Sequence, residues 1–195
     1  QDGRIVYTSG SYIYAVDALT GKSEKTFGEN GKVDLRKNLG RPYNEMIVIA
    51  NTPGVVYDNI LIQGSRVHEG PGASPGHIRA YDLNTGELVW RFNTIPHPGE
   101  YGYETWPKDA WKHMGGANSW AGMTLDESTG IAYIPTGSAS YDFWGGNRSG
   151  ENLFANSLIA LNAKNGERIW HFQFIHHDLW DRDLPAPPNL VEINR

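Results

Sequence analysis

Apolar and polar residues alternate along this chain in short runs, and the runs recur in a fixed order. Tyr12-Ile13-Tyr14-Ala15-Val16-Asp17 leads to Thr20-Gly21 and then Phe27. His77-Ile78-Arg79-Ala80-Tyr81-Asp82 leads to Thr85-Gly86 and Val89-Trp90-Arg91-Phe92. Leu158-Ile159-Ala160-Leu161-Asn162 leads to Asn165-Gly166 and Ile169-Trp170-His171-Phe172. Alternation over such short stretches is the period of a half-buried strand. The glycine takes the positive-φ turn position that a Cβ resists. Each unit therefore predicts strand, tight turn, strand. The alanine leaves room for a neighbouring sheet, and the aromatic residue on the returning strand fills the space between sheets.

Two more strands precede each full unit: Val55-Val56-Tyr57 and Ile60-Leu61-Ile62 before the second, Ala121–Leu125 and Ile131–Ile134 before the third. Four antiparallel strands per repeat make a propeller blade, and unequal spacing between units is how inserted loops behave. The expected fold is all-β, a β-propeller with four-stranded antiparallel blades. It divides into a partial blade (4–27), two whole blades (47–94 and 118–174) and the start of another (185–195), together one partial domain over 1–195. Both termini interrupt strand patterns, so the chain reads as an internal segment, inactive alone.

Composition narrows the partners. The formal net charge is −5 and no run of Lys or Arg stands out, which speaks against nucleic acid or an anionic membrane surface. There is no Cys, hence no disulfide or thiolate metal site within the chain. No apolar run approaches the ~20 residues that span a bilayer.

The repeat from Ala80 to Trp90, Ala-x-Asp-x-x-Thr-Gly-x-x-x-Trp, resembles the tryptophan-docking motif of pyrroloquinoline quinone (PQQ)-dependent alcohol and sugar dehydrogenases. So do Phe27 to Leu35, Tyr103-Glu104-Thr105-Trp106-Pro107, Gly115 to Trp120, Phe143 to Arg148 and His176-His177-Asp178-Leu179-Trp180-Asp181. The last stretches are most similar to the membrane-bound glucose dehydrogenase branch, which also lacks the adjacent-cysteine ring of its relatives. The resemblance implies an eight-bladed ring, PQQ and Ca2+ as cofactors, and hydride transfer from an aldose, polyol or other alcohol. It also implies ubiquinone or another membrane acceptor, a periplasmic location, and attachment to the inner membrane through sequence outside this chain. A propeller scaffold of outer-membrane or surface assembly, which would keep the tryptophan motif and lose the site, is the alternative.

The same resemblance assigns residues. Asp181, the second Asp of His-Asp-x-Trp-Asp, is the expected base, because a carboxylate beside a divalent cation stays ionised and can accept a proton. Asp178 is expected to be structural. Trp120 is the expected flat platform for the quinone, and Trp180 a second cofactor contact. Glu69 is the expected calcium ligand, joined by Asp181 and by Ser138, which stands where relatives often carry Asn; Asp142 is a substitute for Ser138. His176 and His177 do not make a transition-metal pair if they share a strand, since neighbours there point opposite ways. His97, His113 and Arg148 sit in or near loops that could line a pocket mouth.

Overall fold

The alternating runs pair into antiparallel sheets in the computed structural model, which describes residues 3–42 and 46–193. The first sheet orders β1 (Arg4–Ser9), β2 (Tyr12–Asp17) and β3 (Lys32–Asp34). Next come β4 (Val48–Ile49), β5 (Val55–Tyr57), β6 (Ile60–Gln63), β7 (Arg66–Val67), β8 (Ile78–Asp82) and β9 (Leu88–Phe92). Of these, β5-β6-β8-β9 form the second sheet, and β4 pairs with β7 in a separate short ladder. The third sheet orders β10 (Thr124–Asp126), β11 (Ile131–Pro135), β12 (Ser157–Asn162) and β13 (Arg168–Gln173). The stretch between β9 and β10 carries a 3-10 turn (Tyr103–Thr105) and one turn of α-helix, α1 (Ala110–His113).

The turns account for the Asp-x-x-Thr-Gly spacing. Asp17 Oδ1 accepts the backbone N–H groups of Leu19 (3.2 Å) and Thr20 (2.7 Å), and Asp82 Oδ1 accepts those of Asn84 and Thr85, both at 2.8 Å. Asn162 Oδ1 does the same for Lys164 at 2.9 Å. A short side-chain acceptor that bonds its own chain two or three residues on holds the turn shut. Gly21, Gly86 and Gly166 close it at φ 67°, 73° and 75°. Asp126 to Gly130 builds a fourth copy between β10 and β11, with the Gly130 N–H on the Asp126 carbonyl at 2.9 Å.

The aromatic residues dock each sheet onto the turn of the next. Ala80 stands opposite Trp90, and Ala160 opposite Trp170, each followed by a register shift. Trp90 donates from Nε1 to the Ala163 carbonyl (3.1 Å), and its ring lies so close to Gly166 that a Cβ there would meet Cε3 at 2.6 Å. In the first unit Phe27-Gly28 takes that place, with the Gly28 N–H on the Thr85 carbonyl at 2.7 Å. Two inter-sheet cores result. One gathers Ile13, Ala15, Phe27, Leu61 and Tyr81; the other gathers Ile62, Ile78, Trp90, Ile134 and Ile159. Trp170 stays 40% exposed, with Phe172 and Phe174 beside it more exposed still.

Three local expectations change. The first sheet runs past residue 27, because Phe27 is buried in a turn and the third strand is β3; the polar run Lys22–Thr26 offers no alternating face. No strand forms over 185–193, where Leu190, Val191 and Ile193 are exposed, while 194–195 lie outside the described residues. The short β4–β7 ladder has no counterpart in the repeat, since two residues are too few to show a period.

Candidate active site

Four segments remote in sequence, together with Asn51, line one cleft of about 360 Å³. Residues 66–69 supply Arg66, His68 and Glu69; residues 116–120 supply Asn118 and Trp120. Residues 138–142 supply Ser138, Ser140 and Asp142; residues 181–183 supply Asp181 and Asp183. Among the expected site residues, Glu69, Trp120, Ser138 and Asp181 thus share the cleft, and so does Asp142.

Trp180 does not line it and is 70% exposed. The reason is the turn at Asp178. Its carboxylate accepts the backbone N–H groups of Trp180 (3.1 Å) and Arg182 (2.6 Å), and Asp181 takes the left-handed conformation at φ 53°. That bend brings Asp181 to the cleft wall and leaves Trp180 outside it.

Glycine lets these segments pack. Gly116 sits at φ 74°, and a Cβ on it would stand 2.5 Å from the Ser138 carbonyl. The strand-like passage of 115–117 between residues 74–75 and 138–140 delivers Trp120 to the cleft. Gly137 is needed as well, since a Cβ there would meet Asp183 Oδ1 at 2.4 Å.

Two aspartates frame the site. Asp178 accepts Ser138 Oγ–H (2.7 Å) and Asn156 Nδ2–H (3.4 Å) on Oδ2. Burial opposes its ionisation, but the donors, led by Ser138, hold its carboxyl below the usual range. Asp183 accepts the Trp120 indole N–H at 2.6 Å on one oxygen and the Ser138 backbone N–H at 2.7 Å on the other. It braces the platform residue against the loop that carries Asp181. Arg148, fully buried, donates to the carbonyls of Tyr141 (2.9 Å) and Asp178, and to Asn152 Oδ1 (2.7 Å). It supports the site from behind and does not line the cleft.

The cleft is negatively charged. Burial, then the charges of Asp181, Glu69 and Asp183, push the Asp142 carboxyl up to about 7, against the pull of Arg148. Burial, then Asp183, Glu69 and Asp178, also raise Asp181. Because Asp142 titrates above its ordinary value of 3.8, its ionisation opposes folding. The opposition is absent below about pH 4, grows as pH rises, and is complete above about 7. In chelator, Asp142→Asn should therefore melt increasingly above wild type from pH 4 to 7, and added Ca2+ should close the gap. Parallel melting curves across that range would remove the charge cluster from the account.

These groups fit a hard cation: every candidate donor in the cleft wall beside His68 and Arg66 is an oxygen or an amide, and among the described residues no Lys, Arg or His forms an ion pair with Glu69, Asp142, Asp181 or Asp183. No group of three His, Asp or Glu side chains among the described residues is arranged to hold a metal ion by itself. A calcium ion would draw on Ser138, amide or cofactor oxygens as well. Trp120 is half-buried and lines the cleft, and its indole is the kind of surface that a flat ring system stacks on.

The remaining histidines stand apart. His97 packs against Trp111 at 4.8 Å, and His113 borders a separate shallow pocket. His176 and His177 lie in a bend, not a strand; His176 Nδ1 is 3.6 Å from Glu151 Oε2, and His177 Nδ1 is 2.8 Å from the Gly150 carbonyl. Asp183 and Arg66 escaped the sequence reading. The Asp-x-Asp spacing from Asp181 to Asp183 was the available signal for the first, and nothing local marked the second.

The whole chain, residues 1–195, matches the family described as PQQ glucose/ethanol/alcohol dehydrogenase, β-propeller domain. It is 37% identical over 98% of its length to quinoprotein glucose dehydrogenase A of Acinetobacter calcoaceticus, covering 23% of that protein. It is 36% identical over 97% of its length to a quinate/shikimate dehydrogenase (quinone) of Acinetobacter baylyi, covering 24% of it. The solved quinohemoprotein alcohol dehydrogenase from Comamonas testosteroni superposes with a TM-score of 0.78 at 26% identity, over 95% of this chain and 28% of that one. The chain thus spans about a quarter of the length of these relatives.

Proposed function

The chain belongs to the PQQ glucose/ethanol/alcohol dehydrogenase β-propeller family, and we propose that it forms the cofactor-bearing part of a quinoprotein oxidoreductase acting on an aldose, polyol or other alcohol. The reading rests on one observation: Glu69, Trp120, Ser138 and Asp181, far apart in sequence, line a single cleft. When bound, PQQ with Ca2+ supplies a two-electron acceptor and a Lewis acid.

This chain's residues do the rest. Trp120, held by Asp183, offers its indole face to the quinone ring. Glu69, Ser138 and Asp181 would hold calcium, with Asp142 near enough in the same cleft to add charge. Asp181 takes the substrate hydroxyl proton as hydride leaves the carbinol carbon, so the alcohol becomes a carbonyl and two electrons leave with the hydride. An eight-bladed ring, ubiquinone as acceptor, and a periplasmic, membrane-associated setting complete the proposal. No helix among the described residues is long and apolar enough to cross a membrane, so an anchor would lie elsewhere.

The test is reconstitution. Full-length protein stripped by chelator should reduce a quinone-like dye with an aldose or alcohol only after both PQQ and Ca2+ are restored. A protein that stays inert with both, across aldoses, polyols and simple alcohols, would refute the enzymatic reading.

A further inference from the structure

We infer that the second sheet holds a small buried anion, of chloride size, between the guanidinium of Arg79 and the imidazole of His77. Neither residue lines the cleft, and the inference does not rest on the function proposed above.

The strand register gathers positive charge. Arg79 in β8 stands directly opposite Arg91 in β9, and like charges in that relation repel. His77 precedes Arg79 by two residues, so extended chain sets both side chains on one face of the sheet. Both are buried, at 1% and 0% exposed. Burial, then the charges of Arg91, His97, Arg79 and Arg41, hold His77 well below its ordinary pKa, so this one spot feels three guanidinium groups. Among the described residues no Asp or Glu forms an ion pair with Arg41, Arg79 or Arg91. Glu100 acts on Arg91 and His97 from a distance, but its oxygens already accept Asn93 Nδ2–H (2.8 Å) and the His97 N–H (2.7 Å).

The same spot has more donors than acceptors. Arg79 donates from Nη1 to the Leu35 carbonyl, while its Nε and Nη2 have no partner among the described residues. His77 Nδ1 accepts the Thr94 N–H at 3.1 Å, which places the imidazole proton on Nε2, and that donor is unpartnered too. Thr94 Oγ1, also fully buried, is a further unpartnered group. The Asn38 carbonyl is taken by Arg91 at 2.7 Å. Buried donors left unmade are costly, charged ones most of all. A water in this place would have to direct two protons of its own among groups that are themselves donors. A monatomic anion only accepts, and it offsets the surplus charge as well. The closure of the site sets the size, since groups so fully buried leave no path for a ligand with a tail.

Halide dependence of full-length protein tests this. At fixed ionic strength, exchanging methanesulfonate for chloride should raise Tm by about 1–4 °C and the rise should saturate, as for a ligand that binds the folded state alone. Fixed ionic strength cancels general screening. R79M should lose the dependence. Wild-type crystals soaked in bromide should show anomalous density within hydrogen-bond reach of Arg79 and His77 Nε2, a measurement that needs no variant to fold. Equal melting in the two salts overturns the inference, as does an undiminished chloride effect in R79M. Bromide density confined to the protein surface overturns it too, since chloride would then be an adventitious ion only.

Discussion

Asp181→Asn should cut turnover by about a hundred- to ten-thousand-fold, the range a positioned general base contributes, while PQQ still binds near wild-type strength. The amide is the same size as the carboxylate but cannot accept the hydroxyl proton. The loop should survive the change, because Asp178 holds it through the N–H groups of Trp180 and Arg182, and Asp181 makes none of those bonds. Burial and the charges of Asp183, Glu69 and Asp178 raise the Asp181 carboxyl in the metal-free cleft. A bound divalent cation pushes it back down and keeps it ionised. Wild-type kcat/KM should accordingly rise with pH as Asp181 loses its proton, and the variant should lack that limb. Steady-state kinetics with parallel PQQ titration separate the outcomes: retained turnover removes Asp181 as the base, and lost cofactor binding recasts it as chiefly a metal ligand.

Trp90→Ala should cost about 3–5 kcal/mol of stability, the usual range for deleting a buried large aromatic side chain. Trp90 is 7% exposed and lies in the core with Ile62, Ile78, Ile134 and Ile159. Its removal opens a cavity beneath Gly166 and strips the Ala163 carbonyl of its indole donor. Trp90→Phe should lose less, because most of the apolar area stays and only the hydrogen bond, worth about 1 kcal/mol, and part of the ring go. Urea unfolding of full-length protein would measure both. A Trp90→Ala loss below about 1 kcal/mol would mean that the sheet-to-turn docking carries little energy.

The two predictions draw on different layers of information. Trp90 was readable from the chain alone, because its role follows from local rules: alternation along a strand, an Asp or Asn that bonds its own turn, and a glycine at positive φ. Those rules act within about ten residues, so the strands, the turns and the four-stranded antiparallel sheets of an all-β propeller were legible without a structure. The motif stretches likewise pointed to Asp181, Trp120, Glu69 and Ser138 as candidates. The resemblance joined Glu69, Ser138 and Asp181 at one calcium ion, but no local rule along the chain showed how they meet. The cleft joins segments around residues 66, 118, 140 and 182, and no periodicity links positions so far apart. Only the packed sheets and the close passage at Gly116 and Gly137 bring them together. The same limit explains why the exposure of Trp180 was not readable, since its side depends on the bend at Asp178 and Asp181, and the silence about Asp183. A lone aspartate in a polar stretch reads as a solvated charge, and it becomes a brace only when a distant indole or backbone N–H is folded against it. Short-range sterics and hydrogen bonding wrote the fold into the sequence, and long-range packing alone decided which charges share a site.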